Sequence, residues 1–264
     1  LRPTAASLNR LPDRPEAVPA RRARQLALFS AVLLIVSVIG HRQGLVETLP
    51  FLWLLAIVAC LALLAIFLAV LGLERLWKHG ERAGRQSLLA LLFAAAVLAP
   101  FAASGWRLAH YPPLTEVATD AADPPRLAAA AGRPAGSFDA ARVRLQVEAY
   151  PELTGRRYPL PVDVVFGLAE DLVAKRGWQL ARSARPPLAG GETTIQAMAR
   201  TYLMGFRNDV AIRLRDEGSS TYVDMRSASR IGRHDLGDNA MRIERFLADL
   251  DRAVSEYAVA DVGE

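Results

Sequence analysis

The densest run of chemically capable side chains in the 264-residue chain is Val223-Asp224-Met225-Arg226-Ser227-Ala228-Ser229-Arg230-Ile231-Gly232-Arg233-His234-Asp235-Leu236-Gly237-Asp238-Asn239. Its arginines are spaced to converge on an anion. A guanidinium fork binds carboxylate or phosphate through two parallel bonds, and the first N–H groups of a helix starting near Asn239 also favour negative charge. The residues that could hold such a ligand are Arg226, Ser229, Arg230, Arg233 and Asn239. A competing reading is structural. Asp209, Asp224, Asp235 and Asp238 are in reach by sequence and could neutralise the arginines in a loop-fixing network. Both readings stay open at this level. Phe206, between Gly205 and Arg207, reads as an edge plug of the core or an exposed contact.

Catalytic signatures are missing elsewhere. The chain has no G-x-S-x-G, H-E-x-x-H, Walker loop or G-x-G-x-x-G. A Ser-His-Asp hydrolase would have to use His234, and adjacency to Asp235 does not place a carboxylate behind the imidazole. Asp235-Leu236-Gly237-Asp238 lacks the alternating oxygen ligands of a calcium loop. Cys60 is the only cysteine, so intramolecular disulfides and cysteine zinc sites are excluded. No cofactor and no metal are expected.

The elements that must carry the polar run fall into two halves. Apolar residues make up 52% of the chain, and the excess lies before residue 110. The net charge of +5 would suit a nucleic-acid binder, but its distribution does not. Residues 1–25 hold six Arg against Asp13 and Glu16, whereas residues 110–264 hold 20 Lys+Arg against 22 Asp+Glu. The basic excess belongs to the tail and a membrane loop, so no nucleic-acid partner is expected. The first residue is Leu, which suggests a trimmed chain or an alternative start codon.

A membrane span needs about 20 apolar residues. The runs at 26–41, 49–73 and 88–106 are read as three transmembrane helices, the first short enough to need snorkelling flanks or a thinned bilayer. A cleaved signal peptide is the alternative for the first run. Ser37-Val38-Ile39-Gly40 lacks the small-x-small cleavage pattern, so an uncleaved helix is preferred. Loop charges alternate. Counting Lys and Arg, the tail holds six, residues 41–48 hold only Arg42, and residues 74–87 hold Arg75, Lys78, Arg82 and Arg85. By the positive-inside rule this predicts a bacterial inner-membrane protein, N-terminus cytoplasmic and everything after residue 107 periplasmic. Trp53, Trp77, Trp106 and Tyr111 lie at or near span ends, as interfacial rings prefer. No Asp, Glu, Lys, Arg or His lies within Leu26–Gly40, Leu49–Leu73 or Leu88–Trp106, which argues against a pump.

The expected organisation is a basic tail (1–25), three spans (26–106), an extended tether rich in Ala, Pro and Gly (107–141) and a soluble α+β domain (142–258). Period-two alternation predicts a strand through Val143, Leu145, Val147 and Ala149. A helix follows from Pro161 to Arg176, then strands at 178–182, 193–203, 210–215 and 221–226, and a last helix from Asn239 to Tyr257 with Asp238 as N-cap. A two-residue turn at Glu217-Gly218 would set Ile212 opposite Val223, with Arg213 and Asp224 diagonal. Strand, helix, four strands, helix describes an antiparallel sheet with two covering helices, similar to helix-grip folds that often hold an apolar cleft.

Several separated motifs carry a family resemblance. Gly205-Phe206-Arg207-Asn208-Asp209-Val210, Val223 to Gly232, and Asp235-Leu236-Gly237-Asp238-Asn239-Ala240-Met241-Arg242-Ile243 occur in order. Thr119-Asp120, Asp123-Pro124-Pro125, Ala149-Tyr150-Pro151-Glu152 and Gly177-Trp178 accompany them. Over about residues 114–255 the chain resembles the family catalogued as domain of unknown function 1499. The resemblance implies a bacterial envelope or chloroplast-type protein, often with membrane spans before the domain, and no agreed activity. Asn208 stands where an acidic residue is expected, so no role is given to a carboxylate there.

Together these readings predict a membrane-tethered, non-enzymatic binding or envelope-maintenance module. Its partners would be the lipid bilayer and a lipid-like ligand in a cleft under the last helix, or an anion at the arginine loop. The alternatives are an envelope hydrolase using His234 with Asp235 or Asp224, and an assembly partner for another membrane protein.

Overall fold

The computed structural model describes residues 15–127, 139–183 and 191–262. The tail up to Arg14, the Ala/Pro/Gly part of the tether at 128–138 and the Pro/Gly loop at 184–190 lie outside the described residues. The chain divides into two compact units, Leu1–Gly105 and Trp106–Glu264.

Three long apolar helices make the first unit: α1 (Val18–Gln43), α2 (Thr48–His79) and α3 (Gly84–His110, whose last turn belongs to the second unit). All three are long and apolar enough to cross a membrane. At 1.5 Å per residue they measure roughly 39, 48 and 40 Å, beyond the ~30 Å hydrocarbon core. The first helix is longer than the apolar run at 26–41 that it contains. It starts at Val18, with Pro19 in its first turn, and takes Arg21, Arg22 and Arg24 into the helix. Small residues set the packing. Ala23, Ala27, Ala62, Ala65, Ala69, Ala90 and Ala94 are fully buried between the helices, where short side chains let backbones approach. A Cβ on Gly72 would meet Ser87 Oγ at 2.7 Å and Ala20 Cβ at 2.8 Å.

The second unit is an antiparallel sheet with helices on one face, as its alternation requires. Its further elements are β1 (Glu116–Ala118), α4 (Ala140–Ala149), β2 (Arg156–Tyr158), α5 (Val162–Lys175), β3 (Gln179–Arg182), β4 (Glu192–Arg200), β5 (Arg207–Asp216), β6 (Thr221–Ser229) and α6 (Asp238–Val262). The strand order is β1-β6-β5-β4-β3, and β2 also pairs with β6. Ile195, Ile212, Leu214, Val223 and Met225 point from the sheet into a core closed by Val165, Phe166 and Ala169 of α5 and by Ile243, Phe246, Leu247 and Leu250 of α6. These α6 residues are at most 1% exposed. The space under α6, expected as an apolar cleft, is filled by side chains.

Three sequence expectations are corrected. Residues 143–149 form a helix, not a strand. Asp139 Oδ1 accepts from Arg142 N at 2.8 Å as an N-cap, and Val143, Leu145, Gln146 and Tyr150 turn inward with helical spacing while Val147 is exposed. The edge position is taken by β1, drawn from the expected tether. Gln146 of α4 closes that edge: its Nε2 donates to Ala118 O (2.7 Å) and its Oε1 accepts from Ala118 N (3.1 Å). The β5–β6 register is also different. Asp216 faces Thr221 across a four-residue loop, so Ile212 sits opposite Met225, and Arg213 directly opposite Asp224. Finally, α6 begins at Asp238, and its capping side chain is Asp235.

Candidate functional site

The β6–α6 loop is built around backbone positions of positive φ at Gly232, Leu236 and Gly237. Asp235 organises it. Its Oδ1 accepts from Gly237 N (2.9 Å) and its Oδ2 from Asn239 N (3.1 Å), while its own N–H donates to Leu114 O (2.7 Å). Burial pushes the Asp235 carboxyl up from its ordinary value, and these backbone N–H groups oppose the shift. His234 is consumed by the same loop. Its Nδ1 accepts from Leu236 N (2.9 Å), which leaves Nε2 to donate to Tyr111 O (3.0 Å). Neither ring nitrogen is left to take a proton from a nucleophile. Gly237 lies against the Tyr111 ring, where a Cβ would come within 2.5 Å of a ring carbon, and Arg107 pairs with Asp238 at 2.7 Å.

Alternation along β6 divides the polar residues between two faces. Ser227 lies on the face covered by α6, where a hydrogen-bond relay runs. Ser227 Oγ donates to Asn239 Oδ1 (2.8 Å). Asn239 Nδ2 donates to Thr115 O (3.0 Å) and Ser229 Oγ (3.2 Å), and Ser229 Oγ donates to Asn208 Oδ1 (2.8 Å). Arg242, one turn into α6, joins the relay. Its Nη1 donates to Asn239 Oδ1 (2.7 Å) and Ser227 Oγ (2.9 Å). Arg242 is half-buried and forms no ion pair among the described residues. Burial lowers its pKa, with the fields of Asp238 and Asp235 opposing and that of Arg176 adding to the effect.

The other face is a set of charge pairs under a strap. Residues 119–127 cross it: Thr119 N donates to Met225 O (2.9 Å), Thr119 Oγ1 accepts from Met225 N (2.8 Å), and Gln196 Nε2 donates to Arg126 O (3.2 Å). Arg213 is the clamp. Its Nε donates to both Asp224 oxygens (2.9 and 3.1 Å), its Nη1 to Asp123 Oδ2 (2.9 Å) and its Nη2 to Asp123 O (2.6 Å). Asp224 is fully buried, and Arg215 reaches it at 3.3 Å. Burial pushes the Asp224 carboxyl up and works against the charged Arg213. The forked hydrogen bonds and the arginine charges oppose burial at Asp224, where the field of Asp120 adds to it; at Arg213 the bonds and carboxylates outweigh burial. Two-point bonding of this kind is stronger than a neutral hydrogen bond.

The arginines singled out from sequence do not converge. Arg226 pairs with Glu116 and donates to Pro125 O (3.0 Å). Arg230 pairs with Asp209 through Nε (3.0 Å) and Nη2 (2.7 Å). Arg233 is exposed. Ser229 and Asn239 do come together, in the relay. Of the four acids named with them, Asp209 meets Arg230, Asp224 meets Arg213, Asp235 caps α6 and Asp238 meets Arg107. Phe206 is half-buried at the β4–β5 turn. The residue sequence reasoning passed over is Arg242. A signal existed: Asn239 and Arg242 precede Phe246 and Leu250 at i, i+3, i+7 and i+11, so two polar residues head an otherwise apolar stripe.

Comparison with known proteins adds one family and little else. Residues 116–250 match the family model described as "Protein of unknown function (DUF1499)". No curated protein matches. Among solved structures, the crystal structure of CalU16 from Micromonospora echinospora is similar at 19% identity, covering 40% of this chain and 76% of that one, with a TM-score of 0.27.

Proposed function

The chain belongs to the DUF1499 family, and on that premise we propose that it is a membrane-anchored, non-enzymatic binding module of the cell envelope whose soluble unit takes an oxyanion at Arg242. The observation that carries this reading is the guanidinium of Arg242. Arg107, Arg176, Arg213, Arg226 and Arg230 each meet a carboxylate. Among the described residues Arg242 meets two neutral oxygens, from Ser227 and Asn239, and no carboxylate. A half-buried cation satisfied by neutral groups retains its demand for an anion, and a phosphate or carboxylate headgroup supplies one with matching fork geometry. Ser229 and Asn239, named from sequence as ligand residues, fix the relay behind it. The soluble unit is assigned to the periplasmic side by the basic, neutral, basic order of the loops.

A thermal-shift series on the full chain in neutral detergent tests the reading, with inorganic phosphate and phosphatidylglycerol as probes. A ligand at a hundred times its Kd stabilises by about 2.7 kcal/mol. Wild type should rise in melting temperature with at least one probe, Arg242→Lys should respond less and Arg242→Met not at all. Phosphate alone acting marks a soluble anion; phosphatidylglycerol alone marks a lipid headgroup. Equal shifts in wild type and Arg242→Met would refute the site. The hydrolase alternative requires His234 to give up both its loop bonds, and undiminished function of His234→Ala in a knockout rescue would dispose of it.

A further inference from the structure

We infer that the helical unit holds one anionic phospholipid at the end where α1 begins and α2 stops, its phosphate at Arg75 and Lys78 and an acyl chain along Leu71. This site lies wholly within the first unit and does not depend on whether Arg242 binds an anion. It is a cavity of about 290 Å³ lined by Pro19 of α1 and by Leu71, Glu74, Arg75, Lys78 and His79 of α2. The α2 residues follow one another at i, i+3, i+4, i+7 and i+8, the spacing of a single helical face.

Close packing beside the cavity explains why that face is open. Gly72 is buried where three helices meet, with Ala20 of α1 and Ser87 of α3 filling the space a side chain would need. Its missing Cβ lets both neighbours approach α2 at that level. There α1 is about to end: it begins at Val18, just before Ala20, whereas α2 runs on from Gly72 to His79. The last turns of α2 therefore overhang α1. The chain before α1 is tied across to the start of α3, Ala17 N donating to Arg82 O (3.3 Å) and Arg82 N to Pro15 O (3.0 Å), so the rim is ordered.

Depth puts the two ends of this face in different media. Leu49–Leu73 carries no charge and, at 1.5 Å per residue, is long enough for the ~30 Å hydrocarbon core. Leu71 thus lies at the edge of that core and Glu74 to His79 in the headgroup layer. Trp77, 91% exposed on the same turn, is of the type that layer favours. Charge selects the lipid. Glu74 is answered by Lys78 at 2.6 Å, and Arg75 forms no ion pair among the described residues. Arg21 and Arg22 are exposed in α1 just after Pro19. A basic pocket between membrane helices with an apolar inner end fits an anionic headgroup above its acyl chain. An arginine fork can take two phosphate oxygens while its stem lies along apolar surface.

Native mass spectrometry of the full chain released from neutral detergent tests the site, with phosphatidylglycerol and phosphatidylcholine of the same acyl chains as probes. Wild type should retain one phosphatidylglycerol several-fold more often than phosphatidylcholine. Arg75→Gln/Lys78→Gln should bring the two lipids level. Arg82→Gln/Arg85→Gln removes as much charge from the same end outside the lining and should keep the preference, as should Arg242→Met. Equal loss in the two double variants would overturn the site, because it would mean diffuse attraction to a basic end. Loss in Arg242→Met with retention in Arg75→Gln/Lys78→Gln would move the lipid to the soluble unit and refute it too. Excess glycerol 3-phosphate should not displace the lipid; displacement would make a soluble phosphate the ligand. Should the Arg75/Lys78 variant misfold, Leu71→Trp decides: it fills the inner end, keeps every charge and should lower retention several-fold, and unchanged retention would rule out the acyl chain there.

Discussion

Replacing Asp224 by Asn removes one charge and little volume from the middle of the sheet. Asp224 is 0% exposed and Arg213 4% exposed. In the variant the guanidinium keeps Asp123 on one side and loses the carboxylate that held its Nε. Breaking a buried pair by removing one partner costs about 3–5 kcal/mol, because the remaining charge stays out of water. For a unit of this size each kcal/mol moves the melting temperature by about 2–4 °C, so the expected drop is roughly 6–20 °C. Arg213 also holds the strap at residues 119–127, so the drop should be accompanied by faster amide exchange at Asp120 to Pro125. The assay is differential scanning calorimetry of the soluble unit from residue 106, with hydrogen exchange read by mass spectrometry. The double variant Arg213→Met/Asp224→Leu should lose less than the sum of the single changes, since neither charge is then left alone. A loss below about 1 kcal/mol for Asp224→Asn, or strict additivity in the double variant, would refute the clamp, as coupled neighbours differ from additivity by about 0.5–3 kcal/mol.

Alkaline pH should loosen the unit through Tyr150, whose phenol is pushed up to about 12, first by burial and then by the charge of Asp235. Because the folded value lies above the unfolded one of about 10, its contribution is complete below pH 10 and is lost as pH rises to about 12. The melting temperature should fall across that window, and Tyr150→Phe should flatten the fall. Gly237→Ala should cost about 1–3 kcal/mol, since a side chain there is strained at φ 76° and meets the Tyr111 ring. An unchanged melting temperature would show that the loop does not depend on that approach.

Much of this architecture was legible because its hydrophobic periods are long and strong. The membrane helices, α5, α6 and the alternation of β4 and β6 follow from that alone. The failures have physical causes. In α4, Val143, Leu145 and Val147 alternate as in a strand, but Gln146, a polar residue, is the buried contact, and its value lies in an edge it closes across 28 residues. The strand β1 has three residues and takes its pairing from β6, so no local pattern announces it. The register of β5 and β6 depended on loop length, where Glu217-Gly218 looks like a complete turn but Ser219 and Ser220 extend it. At the site, arginine density marked the right loop and not the right arginine. Arg226 and Arg230 are matched by carboxylates from Glu116 and Asp209, distant in sequence, whereas the position of Arg242 on the inner stripe of α6 was its only sign.

The pairing of β1 with β6 has a consequence in time. Glu116 finds Arg226, and Val117 finds Ser227, only after a further 110 residues have been made. At synthesis rates of about 5–20 residues per second β1 precedes its partner strand by roughly 5 to 20 s. Through that interval the segment joining membrane to domain carries an unneutralised glutamate and an open strand edge, and the sheet cannot close until β6 arrives. β1 therefore cannot join the sheet before β6 is made, whereas the β4-β5-β6 meander is closed by strands adjacent in sequence.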